Sequence, residues 1–229
     1  MSQEKITQLL ESLGVSKHGY GDLKGLVPKQ YNKLTTGISI AIRLSDVVMD
    51  EITDEAPTHT YFHHYRSVNA FIDHVTLRVV MLLQSLGYHA VAIPASQSIN
   101  QPGYDYSGVF QHRTAATHAG IGWIGKNACL VTPEFGPRVR LGTILTNMTV
   151  SYDKPFLASK CGSCKICVTK CPPIALVGNN WTGSNNRDEL VNAKVCSTHM
   201  STHYKHIGRG VVCGICVKSC PIGKERIQL

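Results

Sequence analysis

Eight of the nine cysteines fall between residues 161 and 220, and their spacing is regular enough to define a chemistry. In "CGSCKICVTKCPP" (161–173), Cys161, Cys164, Cys167 and Cys171 fit C-x2-C-x2-C-x3-C-P, with Pro172 in place. Thiolates at this spacing let a tight loop surround one face of a cubane iron–sulfur cluster, while the fourth cysteine is carried to a second cluster. A zinc knuckle does not end in Cys-Pro after a three-residue gap, so iron is the better reading than zinc.

The second run, "GRGVVCGICVKSCPIGKE" (208–225), lacks one cysteine. Aligned from its proline end, Cys220 takes the fourth place, Cys216 the third and Cys213 the second, and the first place falls on Gly210. With the fourth ligands crossing over, one [4Fe-4S] cluster takes Cys161, Cys164, Cys167 and Cys220. The other takes Cys171, Cys213 and Cys216 and is one ligand short. Cys196 lies between the two runs and is the favoured candidate. His199 and His203 stand outside it, since imidazole replaces thiolate at some iron sites. Cys129, in the apolar "GKNACLV", reads as a small buried hydrophobe.

The totals agree with an intracellular metalloprotein. Clustered cysteines in a reducing compartment point to metal or redox chemistry rather than disulfides. The N-terminus, "MSQEKITQLLESLG", has no cationic head followed by an apolar run, so a cytoplasmic protein is expected. No stretch reaches the ~20 apolar residues of a membrane helix. With 43% hydrophobic residues the 229-residue chain can bury a core. Residues 160–229 carry 10 Lys and Arg against 3 Asp and Glu, a net +7, whereas the first 159 carry only +1. Two oxidised clusters with their thiolates would cancel roughly four of those charges.

The elements that must position these groups are also legible. Ile6, Leu9, Leu10 and Leu13 repeat at helical spacing up to Gly14, and "ISIAIRLS" alternates as a half-buried strand. A long helix is predicted from about Tyr61 to Leu86, ended by Gly87, with "YHAVAIP" as the next strand. "RTAATHAG" predicts a short helix and "RVRLGTILTN" a strand, with "SYDKPFLASK" as a linker. Helices and strands mix without regular βαβ alternation, so the fold class is α+β. Two domains are expected, 1–156 and 157–229. Gly120, Gly122 and Gly125 spell GxGxxG, but a helix precedes them and a strand-like segment follows, the reverse of a dinucleotide-binding context. They predict positive φ or close approach to a bulky ligand. His59 and His63 have i,i+4 metal spacing but no evident third ligand. One of His112 and His118 is expected to face a pocket.

"HRTAATHAGIGWIGKNACLVTPEFGPRVRLGTILTN", followed by two cysteine runs with a lone cysteine between, resembles the epoxyqueuosine reductase and reductive dehalogenase superfamily. "THTYFHHYRSVNAFID" also looks like a helix of the epoxyqueuosine reductase group. The resemblance covers roughly residues 35 to 223. It implies a nitroreductase-like, cobalamin-binding-type domain followed by a ferredoxin-like module with two [4Fe-4S] clusters, and it makes Cys196 a ligand. It also implies that electrons from a low-potential flavodoxin or ferredoxin pass through the clusters to cobalamin, which acts on a substrate. An aspartate in a D-[ST]-G context is the proton donor of the epoxyqueuosine group. In "YDYSG" the in-register residue is Tyr106 and Asp105 is one place off, so the donor is either of these. The loop Gly122, Trp123, Gly125, Lys126, Asn127, with Arg138 and Arg140, would line the corrin pocket. Epoxyqueuosine reductases hold tRNA with a C-terminal helical-repeat extension. This chain runs nine residues past Cys220, so a small or nucleoside-like substrate is expected ahead of tRNA. Two other functions fit the same residues: an electron-transfer protein without its own substrate, or a reductive activator of a partner's corrinoid.

Overall fold

The computed structural model describes residues 2–224 apart from 98, 100, 104 and 185. In chain order, helix α1 (Ser2–Ser12) leads into strands β1 (Lys17–Asp22) and β2 (Thr36–Arg43). Helices α2 (Asp46–Asp50) and α3 (His59–Ser85) follow, then β3 (Ala90–Ile93) and α4 (His112–His118). Two short strands, β4 (Trp123–Ile124) and β5 (Leu130–Val131), precede the long β6 (Val139–Thr146). The remainder holds α5 (Ile166–Thr169), α6 (Ala193–His203) and α7 (Ile215–Lys218). No helix among the described residues is long and apolar enough to cross a membrane.

The chain divides into two compact units. The first comprises residues 1–42, 68–121 and 140–156. Its sheet has the order β1-β2-β6-β3, with β1 antiparallel to β2 and β3 antiparallel to β6. The alternation of "ISIAIRLS" predicts a strand with one wet face, yet seven of the eight residues of β2 are buried. An inner strand of this sheet is covered on both sides, which alternation alone does not reveal. Leu23, Ile93, Phe110, Ala115 and Leu145 form one cluster of its core. Helix α1 buries Ile6 and Leu10 and ends before Gly14, at φ +74°; Gly87, at φ +85°, follows α3 as expected. The predicted linker is partly docked: Asp153 accepts from Tyr20 N at 2.8 Å, and Phe156 N donates to Thr117 O at 2.9 Å.

His112 opens α4, and both of its ring nitrogens are engaged inside this unit rather than in a pocket. Nε2 donates to Pro94 O at 3.0 Å, which leaves Nδ1 to accept from the Thr143 hydroxyl at 2.9 Å. Burial pushes its pKa down to about 4, against the partial support of the Pro94 carbonyl, and the Arg140 charge adds to the depression.

The second unit takes residues 157–229 together with two earlier segments, 43–67 and 122–139. Close backbone approach ties these pieces together. A Cβ on Gly136 would stand 1.8 Å from Ile222 O, and one on Gly223 would stand 2.0 Å from Phe135 C. The residues just after Cys220–Pro221 therefore rest directly on the Phe135–Gly136 backbone. Ile124, Ala128, Trp181 and Leu190 form an apolar cluster beside them. Segment 43–67 contributes Asp54, which bridges Lys170 at 2.5 Å and Lys218 at 3.7 Å, just beyond α5 and at the end of α7.

The environment of His112 fixes the pH response of the first unit. Above pH 6.5 the ring is neutral folded or unfolded; between 6.5 and about 4 only the unfolded chain takes up the proton. Stability is therefore full above pH 6.5 and lost as pH falls, by roughly 2–3 kcal/mol at the lower limit. Denaturant titrations between pH 7 and pH 5 should show this fall, and His112→Gln should flatten it. An equally steep fall in the variant assigns the response to other groups.

Candidate metal centre

Local chain geometry explains why the cysteines converge. Cys167 and Cys216 occupy matching places in the four-residue helices α5 and α7, which pack together. Gly214, at φ +79°, caps α7, and no side chain is tolerated there because Tyr61 and Ile52 already lie within 3 Å of where its Cβ would be. Cys164 N donates to Cys161 O at 3.1 Å, closing the first turn of the loop.

Cys161, Cys164, Cys167 and Cys220 line one cavity of about 110 Å³ with Lys126, Asn127, Val131, Pro221 and Ile222. These are the four that spacing and crossover assign to one cluster. The other four share a second electrostatic neighbourhood: Cys196 feels Cys213 and Cys171, and Cys216 feels Cys213 and Cys196. Ala175 N donates to Cys171 Sγ at 3.3 Å, the kind of amide-to-sulfur bond that stabilises a metal-bound thiolate. Ile174, at φ +52° and 81% exposed, sets up the turn that aims this amide. A β-branched residue in that conformation is strained, so the bond has a conformational cost.

Without metal, Cys167, Cys196, Cys213, Cys216 and Cys220 resist ionisation. Burial, with the neighbouring thiols Cys220, Cys161 and Cys164, pushes Cys167 up to about 12. Burial and then Cys213 and Cys171 push Cys196 up to about 11. Cys213 and Cys220 are raised by burial as well. Four crowded sulfurs become thiolates together only around a cationic centre, and an iron–sulfur core meets that demand. The donor set fits the group.

The histidines weighed against Cys196 have other partners. His199 and His203 stack at 4.2 Å, and His203 Nδ1 donates to His199 O at 3.1 Å. The Tyr204 hydroxyl donates to Glu55 O at 2.7 Å, so His199 Nε2 donates to the tyrosine oxygen at 3.2 Å. Burial, then Cys213 and Cys171, push the Tyr204 phenol up to about 12, which puts it beside the second thiol set. His59 Nδ1 donates to Ile207 O at 3.1 Å, and no group of metal-ligating residues forms around His59 and His63 among the described residues. Cys129 is the residue that sequence reasoning placed poorly. Its hydrogen bond to Cys216 is the first cause of that thiol's raised pKa, ahead of burial, and it also lies in the field of Cys196, Cys167 and Cys220. Nothing in "GKNACLV" signals this, because the contact depends on the tertiary path of the hairpin.

The residues expected around a corrin have the following partners within the protein. A Cβ on Gly122 would stand 2.2 Å from Val131 O, so the bulky neighbour that this glycine admits is the chain itself. Trp123 is buried, with Lys160 Nζ 5.7 Å from its ring centre. Gly125 passes within 3.5 Å of Cys161 Sγ at its Cβ position. Lys126 and Asn127 are buried in the wall of the cysteine cavity. Arg138, 2% exposed, donates to Asp46 at 2.7 Å and to Asp50 at 2.6 Å, while Arg43 also bonds Asp46. Burial opposes the Asp46 charge, but the bonds from Arg138 and Arg43 outweigh it and hold the carboxyl below its usual range. Arg140 Nε donates to Asn69 Oδ1 at 2.9 Å in the first unit. Asp105 is exposed, and Tyr106 is 54% exposed at φ +55°. Both stand at the surface of their turn.

Residues 160–223 match the family described as a 4Fe-4S double cluster binding domain. An epoxyqueuosine reductase of Staphylococcus aureus is 34% identical over 115 residues, half of this chain and 30% of that enzyme. A reductive dehalogenase with B12-dependent dehalogenation superimposes with a TM-score of 0.74 at 18% identity, over 97% of this chain and 32% of the other. An epoxyqueuosine reductase bound to an epoxyqueuosine-modified tRNA-Tyr stem loop does so with a TM-score of 0.65 at 21% identity, over 97% and 65%. The chain thus spans about a third of the length of the curated relative. Thiol sets and mixed fold define a double-cluster iron–sulfur protein of α+β class. The chain is similar to epoxyqueuosine reductases and reductive dehalogenases, in fold over nearly its whole length and in sequence over about half of it.

Two outcomes follow from these contacts. Cys196→Ala should cut iron from about eight to about four per chain, while Cys129→Ala leaves it near eight; iron loss in the second variant would reverse the two roles. Arg138→Ala should cost about 3 kcal/mol in denaturant unfolding because it empties the space of a buried side chain and leaves Asp46 with Arg43 alone, whereas Asp50→Asn, at an exposed carboxylate, should cost less than about 1 kcal/mol.

Proposed function

We propose that this chain is an iron–sulfur reductase that relays electrons through two [4Fe-4S] clusters. One is held by Cys161, Cys164, Cys167 and Cys220, the other by Cys171, Cys196, Cys213 and Cys216. The observation that carries this reading is the cavity that joins Cys220 to the first cysteine run across more than fifty residues of sequence. That crossover is the arrangement a two-cluster relay requires. The net +7 on residues 160–229 supports an acidic low-potential partner of flavodoxin or ferredoxin type as the electron donor.

The likeness to a B12-dependent dehalogenase supports cobalamin as the electron acceptor, and likeness to epoxyqueuosine reductases supports a small or nucleoside-like substrate ahead of tRNA. Cobalamin supplies a low-potential metal centre when bound. Several side chains expected to line its pocket also hold partners inside the protein. Arg138 is committed to Asp46 and Asp50, Arg140 to Asn69, and Lys126 and Asn127 to the cysteine cavity. The chemistry assigned to this chain's own residues therefore ends at the clusters, with Tyr106 or Asp105 as candidate proton donors on an exposed turn. The same commitments favour a second reading, an electron-transfer protein or corrinoid activator without a substrate of its own.

Anaerobic reconstitution separates these readings. The protein should hold about eight irons. After addition of cob(II)alamin and gel filtration, cobalt near one per chain with an altered electron paramagnetic resonance signal is the result expected of a cobalamin-dependent reductase. Eight irons without retained cobalt would instead make the chain a relay or an activator.

A further inference from the structure

Lys126 is the one buried lysine among the described residues, at 3% exposure. Its Nζ donates to Gly162 O at 2.7 Å, on the loop between Cys161 and Cys164, and its side chain helps to line the cavity of those cysteines with Cys167 and Cys220. Buried cations are compensated by negative charge, because an isolated one loses its hydration for nothing. The other buried cation, Arg138, follows this rule with Asp46 and Asp50. Lys126 meets a neutral carbonyl instead. The compensating charge then has to come from the cavity it lines, where four thiolates and an iron–sulfur core carry net negative charge. Beside the second thiol set stand a neutral donor, the Ala175 amide at Cys171, and the Cys129 sulfur, whose hydrogen bond keeps the Cys216 thiol protonated.

We infer that Lys126 sets the reduction potential of the first cluster: its buried ammonium favours the reduced, more negative state and holds that cluster's potential above that of the second. Reduction adds one negative charge to the core, and a fixed cation in a low-dielectric wall stabilises that added charge more than it does the oxidised state. An electron entering the relay is accordingly drawn toward the Cys161–Cys220 end. The inference rests on the cysteine assignment given under Proposed function.

The test uses full-length protein reconstituted anaerobically as wild type, Lys126→Met, Lys126→Gln and Lys126→Arg. Iron is counted, and each is titrated with mediators and dithionite under electron paramagnetic resonance. Wild type should hold about eight irons and show two transitions. The higher one should move down in the Met and Gln variants, stay near its place in Arg, and leave the lower one unmoved. A neutral variant that keeps its iron with both transitions in place, or with both moved equally, overturns the inference. If both neutral variants fall to about four irons while Arg keeps eight, the charge serves to hold the cluster rather than to set its potential, and the inference is overturned. Loss in Arg as well assigns Lys126 a packing role and overturns it. Wild type with far fewer than eight irons sinks the cysteine assignment instead, which iron counting reads before any potential is measured.

Discussion

Eight sulfurs that must all carry negative charge, confined to one compact unit, repel one another and lose hydration together. The chain alone cannot hold that state: burial and neighbouring thiols push five of them up, Cys167 to about 12. A cationic metal core is the one term large enough to reverse this, so the unit's fold and its metal content are linked equilibria. The sparse secondary structure follows from the same demand. Helices α5 and α7 have four residues each because the backbone around them is committed to wrapping sulfur. Amides such as Ala175 N, which would pair with carbonyls in a longer element, point at thiolate instead.

Charges in the surrounding wall divide by what answers them. Arg138 is satisfied by two carboxylates of α2 and belongs to the scaffold, even though arginine in "RVRLG" has the look of an anion-binding residue. Lys126 has a carbonyl for its hydrogen bond and the sulfur cavity for its charge. The hairpin of β4 and β5 thus reaches the first thiol set with Lys126 and the second with Cys129. A segment that sequence motif-reading would offer to a nucleotide or a corrin is used to touch both metal sites.

Much of this was readable in advance where the signal is local. Cysteine spacing and the Cys-Pro ends gave the crossover set, and Gly14 and Gly87 marked the helix ends because a positive φ there has few alternative residents. Burial of both faces of β2 was hidden, since alternation reports side-chain type and not what covers the polar face. The partners of Arg138, Arg140 and Cys129 were hidden too. Each lies dozens of residues away in sequence, and a residue type states what bonds it can make without stating which neighbour it will meet. Gly122 illustrates the limit: the need for a missing side chain was legible, but the intruding group turned out to be Val131 O.

The second unit is assembled from three separated stretches, 43–67, 122–139 and 157–229. During synthesis its earliest part waits for more than a hundred and fifty residues before Cys220 arrives. A nascent chain therefore cannot complete either metal site until Cys216 and Cys220 have left the ribosome. Nor can the cysteine-rich tail be excised as a portable ferredoxin: cut at residue 157, it would leave behind the Phe135–Gly136 seat under Ile222 and the Asp54 brace beneath both short helices. Any evolutionary exchange of this metal module with other proteins has to carry along two pieces of its neighbour.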